Sequence, residues 1–186
     1  MSQQMLEFVK SRLPMVIHDS TPVPGETNQE RKLREKNRNY CIKQALFYKS
    51  IHYLPYKPLV SQGALNYVQD HWGEHSLRIW TATRDDIVGI ERSVGLPTLK
   101  VTDSQLIQEH VTTGTMYQEM LLREIKGPSE GMATRITDWT IENYKTAWVL
   151  RSENALLSKS GFKCKRGPDL RSARAVYDSI GIMLLA

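Results

Sequence analysis

Prolines and glycines in this chain fall in clusters, and the clusters limit the length of any regular element it can build. Thr21-Pro-Val-Pro-Gly25, Pro55-Tyr-Lys-Pro58, Gly95, Gly127-Pro128, Gly161 and Gly167-Pro168 each interrupt regular structure. The chain must therefore be a packing of short helices and strands. With 186 residues, 40% of them hydrophobic, it has enough apolar material for a core of its own. No apolar run approaches the roughly 20 residues that cross a bilayer. The longest, from Ile180 to Ala186, ends with the chain. The N-terminus lacks the charged region, long apolar region and cleavage site of a secretory signal. Cys41 and Cys164 lie far apart and outside any C-x-x-C pair, which argues against a disulfide framework or a structural zinc. A cytoplasmic protein without cofactor or metal is expected.

Between the breaks, hydrophobic spacing predicts the elements. Residues 1–28 read as an arm with a short amphipathic stretch (Leu6, Val9, Leu13) and a linker. From Gln29 to about Leu54, Leu33, Ile42, Leu46 and Ile51 share a helical face, which should end before Pro55. A short helix over Gln62 to His71 follows. Leu77, Ile79 and Thr81 alternate with Arg78, Trp80 and Ala82 as in a half-buried strand. Another helix starts near Asp85 and breaks at Gly95. Beyond Gly127-Pro128, one helix from about Asp138 to Gly161 should bury Ile141, Tyr144, Trp148 and Leu156. A last helix after Pro168-Asp169 should bury Leu170, Ala173, Tyr177, Ile180 and Leu184.

The formal charge of +5 is modest, but its distribution is uneven. Arg31, Lys32, Arg34, Lys36 and Arg38 crowd one helical segment with aromatic residues close by. Lys163, Lys165 and Arg166 belong to a second cluster around Gly161 and Gly167. These eight cations are candidate phosphate contacts, since clustered charge attracts a polyanion. The competing reading is a solvated helix face and a solvated loop.

From Leu96 to Gly127 the hydrophobic period changes from two to about 3.6. Leu99 and Val101 point one way on a short strand, and Thr98, Lys100 and Thr102 the other. Thr102 with Gln105 forms a capping-box pattern opening a helix over Ser104 to Thr112. Thr115 with Gln118 repeats it for a second helix, Met116 to Ile125. A strand this short needs a partner, and a second copy supplies one about a two-fold axis. The resulting ribbon would offer Thr98, Lys100 and Thr102 to base edges, while amides at Gly114 and Thr115 hold a phosphate.

This strand-helix-turn-helix order resembles the ribbon-helix-helix family of transcription regulators, with Gly114-Thr-Met-Tyr-Gln118 similar to the turn of its antitoxin-type members. The resemblance implies a mainly α protein with a short β-ribbon: an arm over 1–28, helical extensions over 29–95 and 128–186, and the core over 96–127 in one compact unit. It implies a homodimer that binds double-stranded DNA sequence-specifically and controls plasmid or mobile-element genes, with no membrane and no small-molecule substrate. Within the DNA-binding class the nearest alternative is a helix-turn-helix regulator with Met116 to Ile125 in the groove, and two alternatives of other classes stand beside it. A helical adaptor would bind another protein, and salt sensitivity separates that from DNA binding. A zinc-dependent hydrolase would use His71-Trp-Gly-Glu74-His75, which matches the H-x-x-E-H pattern but carries Gly73 inside its helix. No other catalytic pattern is present, and no enzyme is expected.

Overall fold

The structure, a computed structural model, describes residues 2–55 and 57–186. Its helices in chain order are α1 (Ser2–Ser20), α2 (Asn28–Cys41), α3 (Tyr48–Ser50), α4 (Gln62–Trp72), α5 (Arg84–Ser93), α6 (Gly114–Ile125), α7 (Met132–Asn143), α8 (Arg151–Lys159) and α9 (Leu170–Ser179). Its strands are β1 (Leu59–Ser61), β2 (Leu106–His110), β3 (Thr146–Leu150) and β4 (Leu184–Leu185). The chain divides into two compact units, Met1–Pro55 with Thr113–Tyr144 and Tyr56–Thr112 with Lys145–Ala186.

The first unit is helical. Residues 1–28, expected to be an arm, are mostly α1, although Pro14 lies inside it. An interior proline costs about 3 kcal/mol. Met5, Phe8, Val9, Leu13 and Val16 outweigh that cost, because each is buried and each such burial is worth roughly 1.5–3 kcal/mol. They pack with Ile42, Leu46, Phe47, Tyr117, Leu121 and Ile136 in one core. After α2 the chain passes through a π-helical turn, Ile42–Phe47. The wider turn puts Ile42, Leu46 and Phe47 into the core, whereas α2 buries no residue. A 3-10 turn, Ile51–Tyr53, ends the run before Pro55 as expected.

The second unit is built on a four-stranded mixed sheet in the order β2-β3-β1-β4. β1 runs parallel to β3, while β2 pairs antiparallel with β3 and β4 with β1. Val60, Trp72, Ile79, Ile87, Ile90, Leu106 and Trp148 form its core. Trp148, expected on a long helix, is fully buried in β3 and donates its indole N–H to the Ala82 carbonyl at 3.2 Å. The single helix expected from Asp138 to Gly161 is thus α7, β3 and α8 in succession. Residues 77–82 are also not a strand, since a 3-10 helix covers Gly73–Trp80.

This mixed sheet within a single chain overturns the expected ribbon-helix-helix architecture. Residues 99–102 form bends and turns, and the segment expected as the first helix, Ser104 to Thr112, contains β2 instead. The physical reason is a pair of internal anchors. Glu91 is fully buried and accepts the Thr98 hydroxyl at 2.7 Å, the Ser104 hydroxyl at 2.8 Å and the Tyr67 hydroxyl at 3.3 Å. Arg92 donates to the carbonyls of Thr98 and Leu99 at 2.8 and 2.7 Å. Thr98 therefore points inward and Leu99, 78% exposed, outward, the reverse of the expected strand. Beyond this loop, Leu106 to His110 form a five-residue antiparallel ladder with β3. The second expected helix is present as α6, capped two residues earlier, by Thr113 accepting from the Met116 N–H at 3.3 Å.

Candidate nucleic-acid interface

The base-reading residues expected from the sequence do not share a face. Thr98 is buried against Glu91. Lys100 is exposed, in a bend whose backbone N–H donates to Asp103. Thr102 lies in a turn whose carbonyl accepts from Arg151. Gly114 and Thr115 open α6 as expected, half-buried, with the Gly114 backbone against Lys43 and Phe47. His71 lies in the last turn of α4, and Gly73, at φ +53°, ends that helix before Glu74 and His75. The helix on which an H-x-x-E-H site depends is thus interrupted. His71 instead stacks on Tyr67. Among the described residues no group of three or more His, Cys, Asp or Glu is placed to hold a metal ion.

The cations of the second unit separate by role. Arg166 is 1% exposed and wholly engaged. It donates to Glu109 Oε1 at 2.6 Å, to the carbonyls of His110 and Phe162 at 2.6 and 2.8 Å, and to the Tyr177 hydroxyl at 2.8 Å. Arg166 is therefore a structural clamp and is removed from the candidate phosphate contacts. Gly167 follows at φ +96°, where a Cβ would come within 2.3 Å of Ser172. Only glycine fits there. Lys163 and Lys165 remain exposed on the loop.

In the first unit, α2 is held at its start and left bare along its length. Thr27 caps it in a full capping box with Glu30, whose carboxylate accepts both the N–H and the hydroxyl of Thr27 at 2.7 Å. Those two bonds hold the Glu30 carboxyl below its ordinary range. Arg34 donates through two nitrogens to Glu26, at 2.6 and 3.0 Å, and through the third to the carbonyl of Asp19 at 2.9 Å. The Arg34 hydrogen bonds likewise lower the Glu26 carboxyl. Arg34 is thus a strut between the end of α1, the linker and α2, and it too is removed from the phosphate contacts. Arg38 is half-buried and bonds to Asn39 at 3.2 Å.

The remaining side of α2 is open. Gln29, Leu33, Lys36, Asn37 and Tyr40 recur at three- and four-residue steps and so lie along one stripe, with Lys32 beside it. All six are exposed, Leu33 by 59% and Tyr40 by 66%. Arg31 is exposed as well, away from this stripe. Both acids of α2 lie off its centre, and Glu30 is already engaged by Thr27. The stripe combines cations for phosphates, amides for base edges, and an aromatic ring that can pack on sugar or base. Sequence reasoning found its lysines but not Gln29 or Asn37. Their three- and four-residue spacing with Leu33 and Tyr40 was the available signal. Nothing in the sequence marked Glu26 as the partner of Arg34.

No described helix is long and apolar enough to cross a membrane. In comparisons with known proteins, no family model, no curated protein and no solved structure matches this chain.

Proposed function

We propose that this protein binds double-stranded DNA through α2, with the stripe from Gln29 to Tyr40 entering the major groove, and that it regulates transcription by that means. The observation that carries the proposal is a 14-residue helix that buries no side chain, yet is capped and strutted at its start. A helix with no fully buried residue, touching its core only through half-buried Cys41, draws little stability from that core. A polyanion supplies the missing partner, because Lys32 and Lys36 are exposed and neither forms an ion pair among the described residues. The major groove admits an α-helix, and lysine, asparagine and glutamine are the side chains that meet guanine and adenine edges there. Lys163 and Lys165, on a separate loop, are available for further phosphate contacts.

The exposed Leu33 and Tyr40 favour one second reading, a helical adaptor that docks on another protein. A selection from random duplexes separates the two. The DNA reading expects a recovered consensus motif and weaker binding to it by Lys36→Ala and Asn37→Ala at unchanged fold. Recovery of no motif, or variants that bind as tightly as the parent, would overturn it. Footprint length reports whether one copy of α2 or two reads the site, which tests the homodimer.

A further inference from the structure

We propose that the second unit carries a phosphate-binding pocket between Arg84 and Arg151, independent of α2. The pocket is a cavity of about 180 Å³ lined by Arg84, Val101, Thr102, Leu106, Ile107, Gln108 and Arg151. Two arginines, a threonine, a glutamine and three aliphatic residues line it, and among the described residues no acid does.

The charge pattern separates this place from the ion-paired arginines of the molecule. Arg34, Arg135 and Arg166 each sit against a glutamate, Glu26, Glu124 and Glu109, at 2.6 to 2.7 Å. Arg151 is half-buried too, but its partners are carbonyls. It donates through Nε to Ser104 and through Nη2 to Thr102 and Val101. Its Nη1 has no partner among the described residues, and neither Arg84 nor Arg151 forms an ion pair there. A half-buried guanidinium without a counter-charge is costly unless an anion supplies one.

The wall of the pocket is rigid. The loop 98–104 is fastened from below by Glu91 and Arg92, and Asp103 accepts the N–H groups of Leu99 and Lys100 at 3.1 and 3.0 Å. Arg151 is thereby fixed with one nitrogen to spare, and the Thr102 hydroxyl on the same loop has no partner among the described residues. Asp86, next but one to Arg84, is engaged by the N–H and hydroxyl of Thr83 at 2.8 and 2.7 Å. Arginine pairs suit the tetrahedral oxygens of a phosphoryl group. A cavity of about 180 Å³ is smaller than the roughly 300–1,000 Å³ of pockets for drug-sized ligands. It therefore takes a phosphoryl group rather than a whole nucleotide. That group is either a free phosphate or the terminal phosphate of a nucleic acid.

The test is titration of the full chain with inorganic phosphate at constant ionic strength, followed by amide chemical shifts and by calorimetry. Saturable binding is expected, with shifts at Thr102, Gln108 and Arg151. Arg84 is exposed and holds nothing in place, so Arg84→Ala should fold normally and weaken binding at least tenfold. Arg84→Glu should abolish it, Arg151→Lys should weaken it while retaining the charge, and Lys36→Ala should leave it unchanged. Competition by a 5′-phosphorylated duplex but not by its unphosphorylated twin assigns the source to a nucleic-acid end. Failure of both to compete assigns it to a free anion. Absence of saturable binding, or binding unaffected by both Arg84 substitutions, overturns the proposal.

Discussion

Helix α2 and the segment around Arg166 are both rich in cations, and they use their charge in opposite ways. In the segment, Arg166 turns inward, where a glutamate, carbonyl oxygens and a tyrosine hydroxyl surround it. On α2 only Arg34 is engaged in this manner, and Lys32, Lys36 and Arg31 face solvent. The difference lies in what surrounds each cation. Where a carboxylate and carbonyl oxygens converge, the cation becomes structural. Where none do, its charge stays available to a ligand.

The largest expected effect tests the structural half of this contrast. Arg166→Ala strands the Glu109 carboxylate and several acceptors, and breaking a buried pair in this way costs about 3–5 kcal/mol. Urea denaturation should show that loss, and a change below about 1 kcal/mol would erase the distinction between the two regions. Next comes the other half. Lys36→Ala should cost about 1–3 kcal/mol of specific DNA affinity if the lysine reads a guanine, with no change in the urea midpoint. A matching drop in stability would make Lys36 structural and collapse the comparison.

A smaller effect sharpens the account of how α2 stands out from its core. Thr27→Ala removes the cap and should cost about 0.5–2 kcal/mol. Hydrogen exchange should show the loosening confined to the first turns of α2. Uniform loosening of the first unit would mean that the helix is not held at its start alone.

The smallest effect is in pH. Burial is the main force holding His110, beside Arg166, below its ordinary pKa of 6.5; Arg166 adds to the lowering, while Glu109 opposes it. As pH falls below about 6.5 the unfolded chain takes up this proton before the folded one, so stability falls with pH through that window. His110→Gln should flatten the slope in urea midpoints between pH 7 and 5. An unchanged slope would assign it to other groups.

Local signals in the chain account for several element boundaries. Pro55 ends the long helical run, Gly95 follows α5, and Asp169 caps α9 by accepting from the Ser172 N–H at 2.7 Å. What local signals could not carry is pairing across long separations. Leu106 to His110 become a strand because Thr146 to Leu150 lie opposite, some forty residues away. Neither segment announces the other. The same holds for charge, since Arg34 and Arg166 read like their neighbours until Glu26 and Glu109 are seen beside them. Candidate phosphate contacts chosen by clustering thus included two clamps, Arg34 and Arg166. The hydroxyl pattern of Thr98 and Thr102 suggested base contacts for a related reason. Glu91, the buried acceptor of Thr98, looks like any surface acid on α5 until its burial is known.

The most direct test of the central claim is the salt dependence of affinity for the selected duplex, compared between the parent chain and the double variant Lys32→Ala/Lys36→Ala. If α2 lies against DNA, log K falls linearly with log salt, and the slope becomes shallower by about 0.9 for each phosphate that the missing lysines no longer neutralise. Identical slopes in the two proteins, or affinity indifferent to salt, would contradict the assignment of α2 as the DNA-binding helix.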